Sequence, residues 1–287
     1  MSEKVKIVAV TGPTATGKTA LAVKLAALFD GEIVSVDSRQ VYRFMDLGTG
    51  KDLEEYGNVP YHLIDIADPG RDTYNLSAFC HDAFDAIADI TKRNKLPILC
   101  GGTALYLDAL LKGYRLPGGK LPEREKGVAR SSADYEAEPS FTPPFELAPL
   151  VIGVLFDRNI VRERIEKRLD ARFECGMAEE VKKLHDIQGV SYEKLEFFGL
   201  EYREISLYLQ GKCTFEEMRQ TLLDKIRQFA KRQDIFFRKI ERSGQDIYWC
   251  REGKEPAPAE LVRKFLNGET LPEITFRLAD VNYGKKR

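Results

Sequence analysis

Apolar residues fall into short β-rich runs separated by stretches with helical spacing, an alternation that predicts a mixed α/β fold. The run Val5 to Val10 reads as a strand and Ala20 to Phe29 as the helix after it. Glu32 to Val36, Tyr61 to Ile66, Leu96 to Cys100 and Leu150 to Phe156 are further short apolar runs bounded by Gly, Pro or Asp, and each predicts a strand. Phe79, Ala83, Phe84, Ile87 and Ile90 recur near helical spacing across Leu76 to Arg93, and Ala104 to Leu111 begins another helix. Beyond residue 156 the pattern turns helical: Val161 to Phe173, Ala178 to Asp186, Phe197 to Leu209 and Phe215 to Ile240. Asp246 to Cys250 reads as a last strand and Glu260 to Leu266 as a last short helix. Within the longest helix, Phe229, Ile235 and Phe236 are assigned to the core rather than to base-stacking platforms.

These elements predict a three-layer α/β domain with a mainly parallel sheet over residues 1–112 and 150–266, extended by the C-terminal helices. From Gly113 to Pro149 the prolines and glycines, among them Pro117, Gly118, Gly119, Pro122, Pro143 and Pro144, interrupt any periodicity, and the interval reads as a linker. Residues 267–287 read as a loose tail.

Chemistry concentrates where the first strand meets the first helix. Gly12-Pro13-Thr14-Ala15-Thr16-Gly17-Lys18-Thr19 is a Walker A phosphate loop in its required strand–loop–helix context. Its glycines let successive N–H groups converge on an anion, the helix start adds partial positive charge, Lys18 adds a full one, and the Thr19 hydroxyl suits magnesium. The loop is therefore expected to hold a di- or triphosphate. Asp37 follows the second predicted strand, on the sheet edge where functional groups gather, and suits a general base, a magnesium partner or a plain helix cap. Gly101-Gly102-Thr103 repeats the strand, small-residue turn and helix arrangement, so two such turns can face one ligand. Arg164 and Arg168 share a helix face, either to clamp a pyrophosphate or, the reading that their mixed-charge helix favours, to sit in solvent.

Composition narrows the class. With 287 residues, 43% hydrophobic, 31% charged and net charge −1, the chain is expected to be globular and not an indiscriminate polyanion binder. Charge is uneven: Lys212 to Arg242 holds nine Lys/Arg against five Asp/Glu, the footprint of a polyanion face or of an ordinary solvated helix. Cys80, Cys100, Cys175, Cys213 and Cys250 show no metal spacing, and with His62, His81 and His185 they predict free thiols and no zinc. No apolar run approaches membrane-spanning length and no signal-peptide pattern precedes the first strand, so a cytoplasmic location without membrane contact is expected.

Taken together, several pieces resemble the tRNA dimethylallyltransferase (isopentenyltransferase) family: the phosphate loop, Asp37-Ser38-Arg39-Gln40-Val41-Tyr42, Met45 to Thr49, His62 to Ile66, Gly101 to Tyr106, the Arg164 to Arg168 helix and Phe229-Ala230-Lys231-Arg232-Gln233. They occur in the family's order over about residues 5 to 112 and 150 to 250. The resemblance implies a phosphate-loop NTPase-like fold and transfer of a dimethylallyl group from its diphosphate to the exocyclic amine of the adenine 3′ to a tRNA anticodon, by a monomer. It implies that Gly12 to Thr19 bind the leaving diphosphate, with Lys18, magnesium on Thr19, and Arg168 neutralising it. It implies that Asp37 is the base and that Thr103 lines the reaction channel. Ser38, Arg39 and Gln40 would hold the extracted adenine together with Asp37, while Arg203, Lys231, Arg232 and Gln233 match tRNA-contacting pieces. The chain departs from the family in two places. The glycine expected before Tyr202 is Glu201, and the helical insertion that grips the anticodon stem-loop is reduced to the interval 113–149, which implies weak tRNA binding, another gripping surface or inactivity. Three rival readings remain: transfer to a free adenine nucleotide, a small-molecule kinase, and a catalytically silent RNA-binding homologue.

Overall fold

The computed structural model describes residues 4–71, 74–117 and 139–281. Strands β1 (Val5–Thr11), β2 (Gly31–Ser35), β3 (Tyr61–His62), β4 (Leu96–Cys100), β7 (Leu147–Leu155) and β8 (Tyr248–Arg251) form one sheet in the order β3-β2-β4-β1-β7-β8. Every pairing in it is parallel. β1 lies inside the sheet between β4 and β7, so the loop that follows it opens at the middle of the carboxyl edge, where α/β sheets gather ligands. β5 (Leu116–Pro117) and β6 (Pro139–Phe141) form a separate antiparallel pair.

Helices cover both faces. α1 (Lys18–Phe29) and α9 (Pro258–Asn267) pack on one side around Val8, Val10, Leu25, Ile98 and Val262. α2 (Leu76–Lys92) and α3 (Ala104–Lys112) pack on the other around Phe79, Phe84, Leu107 and Val151. A third core stands apart from the sheet, where α4 (Arg158–Glu174), α5 (Met177–Asp186), α6 (Tyr192–Phe197) and α7 (Leu200–Leu209) bury Ile165, Val181, Leu195 and Ile205 against Tyr42 and Met45.

One helix joins the cores. α8 (Phe215–Arg242) spans 28 residues and starts at a capping box in which Thr214 Oγ1 accepts from Glu217 N while Glu217 Oε2 accepts from Thr214 N. Its first half buries Met218, Leu222, Leu223 and Ile226 in the helical core; its second half sends Phe237 and Ile240 into a core on the sheet. At the changeover the buried side chains are polar, Gln233 and Asp234.

Several expectations require correction. The strand foreseen over Tyr61 to Ile66 stops at His62, because Leu63 (φ 64°) and Asp65 (φ 58°) take left-handed backbone conformations that end extended pairing. The helix foreseen from Phe197 to Leu209 starts only at Leu200, after Gly199 (φ 136°), and Phe197 instead ends the preceding α6, which was not foreseen. β7 starts at Leu147, inside the expected linker, and its Pro149 pairs with Ile7 of β1 at a point that β8, which begins opposite Ile152, has not reached; the missing N–H therefore breaks no ladder. Most of the expected shortened insertion, residues 118–138, lies outside the described residues. Phe229 and Ile235 are not core: α8 buries the stripe Ile226, Ala230, Gln233, Phe237 and Ile240, which leaves Phe229 41% and Ile235 58% exposed. Only Phe236 of the three is partly buried against the core.

The tail is anchored at least to Val281. Buried Glu241 accepts from Trp249 Nε1 (2.8 Å), Leu278 N (3.3 Å) and Ala279 N (2.7 Å), and Leu278 is fully buried against α8 and β8. Glu241→Ala strands these donors, so thermal or urea denaturation is expected to show a loss of about 2 kcal/mol, with faster proteolysis after residue 270. Unchanged stability would mean that the tail adds nothing to the fold.

Candidate active site

The phosphate loop is held in shape by groups from distant parts of the chain. Gly12 has φ 146°, and a Cβ there would lie 2.6 Å from the Val154 carbonyl, so only glycine fits; Gly17 (φ 78°) makes the second turn into α1. Thr14 N donates to Gln233 Oε1 (2.9 Å), and Gln233 Nε2 donates to the Gly102 carbonyl (2.9 Å). Arg168 Nη2 donates to Thr14 Oγ1, Thr16 Oγ1 donates to the Pro13 carbonyl (2.8 Å), and Lys18 Nζ donates to the same carbonyl (2.7 Å).

A second turn faces it. Asp37 Oδ1 accepts from Arg39 N (2.8 Å) and Gln40 N (3.3 Å), which folds the chain after β2 back on itself. Thr103 Oγ1 accepts from Ser38 N (3.1 Å), and Thr103 N donates to the Val36 carbonyl, so the Asp37 and Gly101–Thr103 turns are bonded to each other. A Cβ on Gly101 would sit 2.1 Å from the Val36 carbonyl oxygen, which explains the glycine.

Between these turns and the helical core opens a cavity of about 1130 Å³. Among the described residues it is lined by seven basic and four acidic side chains, so it suits an anion. Arg164, Arg168 and Arg172 of α4 all line it, one helical turn apart; partly buried Arg168 corrects the solvent-facing reading, whereas Arg164 is exposed, as that reading has it. Arg164 also lies 3.9 Å from the centre of the Phe156 ring. Burial lowers the Lys18 ammonium to about 8, with nearby Arg168 adding to the shift and Cys100 and Asp37 opposing it. Burial likewise lowers Arg168 to about 10, reinforced by Arg172, and raises the Asp37 carboxyl against its two backbone hydrogen bonds and the nearby cations.

The chain as a whole has counterparts among known proteins. A family model described as IPP transferase matches residues 40–141 and 124–240, and one described as isopentenyl transferase matches 5–57. The chain belongs to the IPP transferase family. Family relatives include tRNA dimethylallyltransferase 1 of Geotalea uraniireducens, 43% identical over 284 residues covering 87% of this chain and 94% of the relative. Another is tRNA dimethylallyltransferase 2 of Treponema denticola, 43% identical over 290 residues covering 87% and 97%. The full-length tRNA isopentenylpyrophosphate transferase of Bacillus halodurans superposes with a TM-score of 0.74 at 32% identity, covering 92% of this chain and 96% of that one. A eukaryotic dimethylallyltransferase superposes with a TM-score of 0.76 at 21% identity, covering 94% and 81%, and shares the fold.

Of the residues singled out by this family's motifs, Lys18, Thr19, Asp37, Ser38, Arg39, Gln40, Thr103, Arg168, Arg232 and Gln233 all line the cavity. Lys231 faces a neighbouring cleft instead, and Arg203 is 56% exposed beside Glu204. Gln233 is not a surface contact: it is buried and both ends of its amide are engaged by the phosphate loop and Gly102. Gln40 is also engaged at both ends, by Ser35 Oγ and the Gly50 carbonyl.

Sequence reasoning missed three supports. Arg172 donates to Asp52 (3.3 Å) and lies on the same helix face as Arg164 and Arg168, a spacing legible in the chain. Glu180 accepts from Asp46 N, Leu47 N, Gly48 N and the Tyr202 hydroxyl, and so fixes the Met45–Thr49 loop; no local pattern signals that pairing. Glu201, at the start of α7, lines the cavity, and burial raises its carboxyl although Arg172 and Arg168 are near.

Magnesium bound to a phosphate loop takes one or two protein oxygens and completes its shell with phosphate and water. The Thr19 hydroxyl and the Asp37 carboxylate both line the cavity, so donors of the right hardness are present. An all-protein cage of three or more acidic, His or Cys ligands is absent among the described residues.

A diphosphate placed on the loop would restore the Lys18 charge, so binding takes up a proton above pH about 8. Calorimetric affinity for a diphosphate ester is expected to be level below that pH and to fall about tenfold per pH unit above it. A profile that stays flat to pH 10 would mean that burial does not lower Lys18 or that Lys18 does not meet the anion.

Proposed function

We propose that this chain transfers the dimethylallyl group of dimethylallyl diphosphate to the exocyclic amine of the adenine 3′ to a tRNA anticodon. The observation that carries the reading is the meeting of a phosphate loop and a shielded carboxylate, Lys18 and Asp37, in one cavity of a chain that is 43% identical to tRNA dimethylallyltransferases. Membership of the family supports tRNA as acceptor and does not favour the free-nucleotide, kinase or silent readings. No helix among the described residues is long and apolar enough to cross a membrane.

In the reaction, the amine nitrogen attacks the allylic carbon, the C–N bond forms as the C–O bond to diphosphate breaks, and the amine loses one proton. Lys18, Arg168 and the backbone N–H groups of the loop are positioned to neutralise the charge growing on the leaving diphosphate. A magnesium ion held through Thr19 would add a Lewis acid to the same oxygens. Asp37 accepts the amine proton; its raised pKa makes it a better base than a free carboxylate. Ser38 and Thr103, bonded to each other beside Asp37, are placed to orient the base. Because the target adenine is stacked in the anticodon loop, it must be turned out of the stack to reach Asp37.

The test is transfer of labelled dimethylallyl to unmodified tRNA, with AMP in parallel. Wild-type protein is expected to label tRNA only, and Asp37→Asn to lower the rate by about 10²- to 10⁴-fold while still binding the diphosphate. The rate should also fall as pH drops through the raised Asp37 pKa, since only the ionised form accepts the proton. Label in AMP alone, or full activity in Asp37→Asn, would overturn the reading.

A further inference from the structure

Two exposed phenylalanines stand at the cavity, Phe229 in its lining and Phe197 beside the lining residues Arg39 and Phe198, and each carries an arginine over its ring. Phe197, at the end of α6, is 64% exposed; the Arg39 guanidinium lies 5.2 Å from its ring centre and donates to its carbonyl at 3.1 Å. Phe229, on α8, is 41% exposed, with the Arg232 guanidinium 6.0 Å from its ring centre. Arg39, Phe229 and Arg232 all line the cavity, and Phe198, also lining it, stands 6.3 Å from Phe197. Single exposed apolar side chains such as Leu28 are ordinary and carry no inference. An aromatic face paired with a guanidinium, twice, beside a cavity whose charged lining is mainly cationic is a stacking platform for unpaired bases, since every base offers a π-face and the arginine adds charge.

We infer that Phe197 with Arg39 and Phe229 with Arg232 stack the two bases that flank the target adenine in the anticodon loop. This rests on the tRNA reading above. Extracting the adenine leaves its neighbours without a stacking partner, and the two rings replace that partner. The platforms thereby grip the loop through its bases, and the charge of Arg232 adds attraction to its backbone.

The probe is an anticodon stem-loop RNA carrying 2-aminopurine beside the target adenine, titrated against Phe197→Ala, Phe229→Ala and the double variant. Each single variant is expected to raise Kd at least fivefold, to weaken the 2-aminopurine quenching, and to leave the salt dependence of binding unchanged. Arg232→Ala should instead lower the salt slope by about one. Phe197→Trp should restore affinity, and Phe197→Ala should bind dimethylallyl diphosphate as the wild type does. Unchanged Kd and quenching in the double variant would overturn the inference. If wild-type protein binds and quenches the RNA but transfers nothing, the platforms stand and the reaction falls; if it does not bind, both fall.

Discussion

A phosphate loop binds an anion only while its backbone N–H groups stay converged, and a loop rich in glycine does not hold that shape alone. Here the constraint comes from Gln233, whose amide accepts from Thr14 N and donates to the Gly102 carbonyl. One buried side chain thus fixes the two small-residue turns that face each other across the cavity. Its position depends on α8, and α8 is rigid because its two halves are buried in different cores. The phosphate loop, the Asp37 turn and the helical core therefore share one spine.

Burial gives the same residues their chemical character. Lys18, Arg168 and Asp37 are all pushed toward their neutral forms by loss of solvent. The cations are left under-compensated until a polyanion arrives, and the carboxylate is left a stronger base than its free counterpart. A diphosphate and an amine meeting there, as proposed, would relieve both conditions at once.

Much of the site was legible in the chain, because a phosphate loop, an aspartate after a strand and a Gly-Gly-Thr turn are local patterns with local physical causes. The parallel sheet followed from the strand–helix alternation in the same way. What escaped was long-range. Gln233 resembles a surface tRNA contact by motif, yet the phase of α8 turns it inward; the same phase turns Phe229 and Ile235 outward, against their hydrophobicity. Glu241 ties down a tail that composition alone marks as loose, and Glu180 fixes a loop from more than 130 residues away. Left-handed backbone at Leu63 and Asp65 ended a strand that its apolar run had promised, with buried Lys51 pairing to Asp46 and Asp65 behind it.

The most direct measurement is calorimetric binding of dimethylallyl diphosphate and of ATP, each with magnesium, in competition with pyrophosphate. A cradle built for a leaving diphosphate should bind the prenyl diphosphate and release it to pyrophosphate, with ATP at least about tenfold weaker. Tighter binding of ATP, with transfer of its terminal phosphate to any acceptor, would contradict the account.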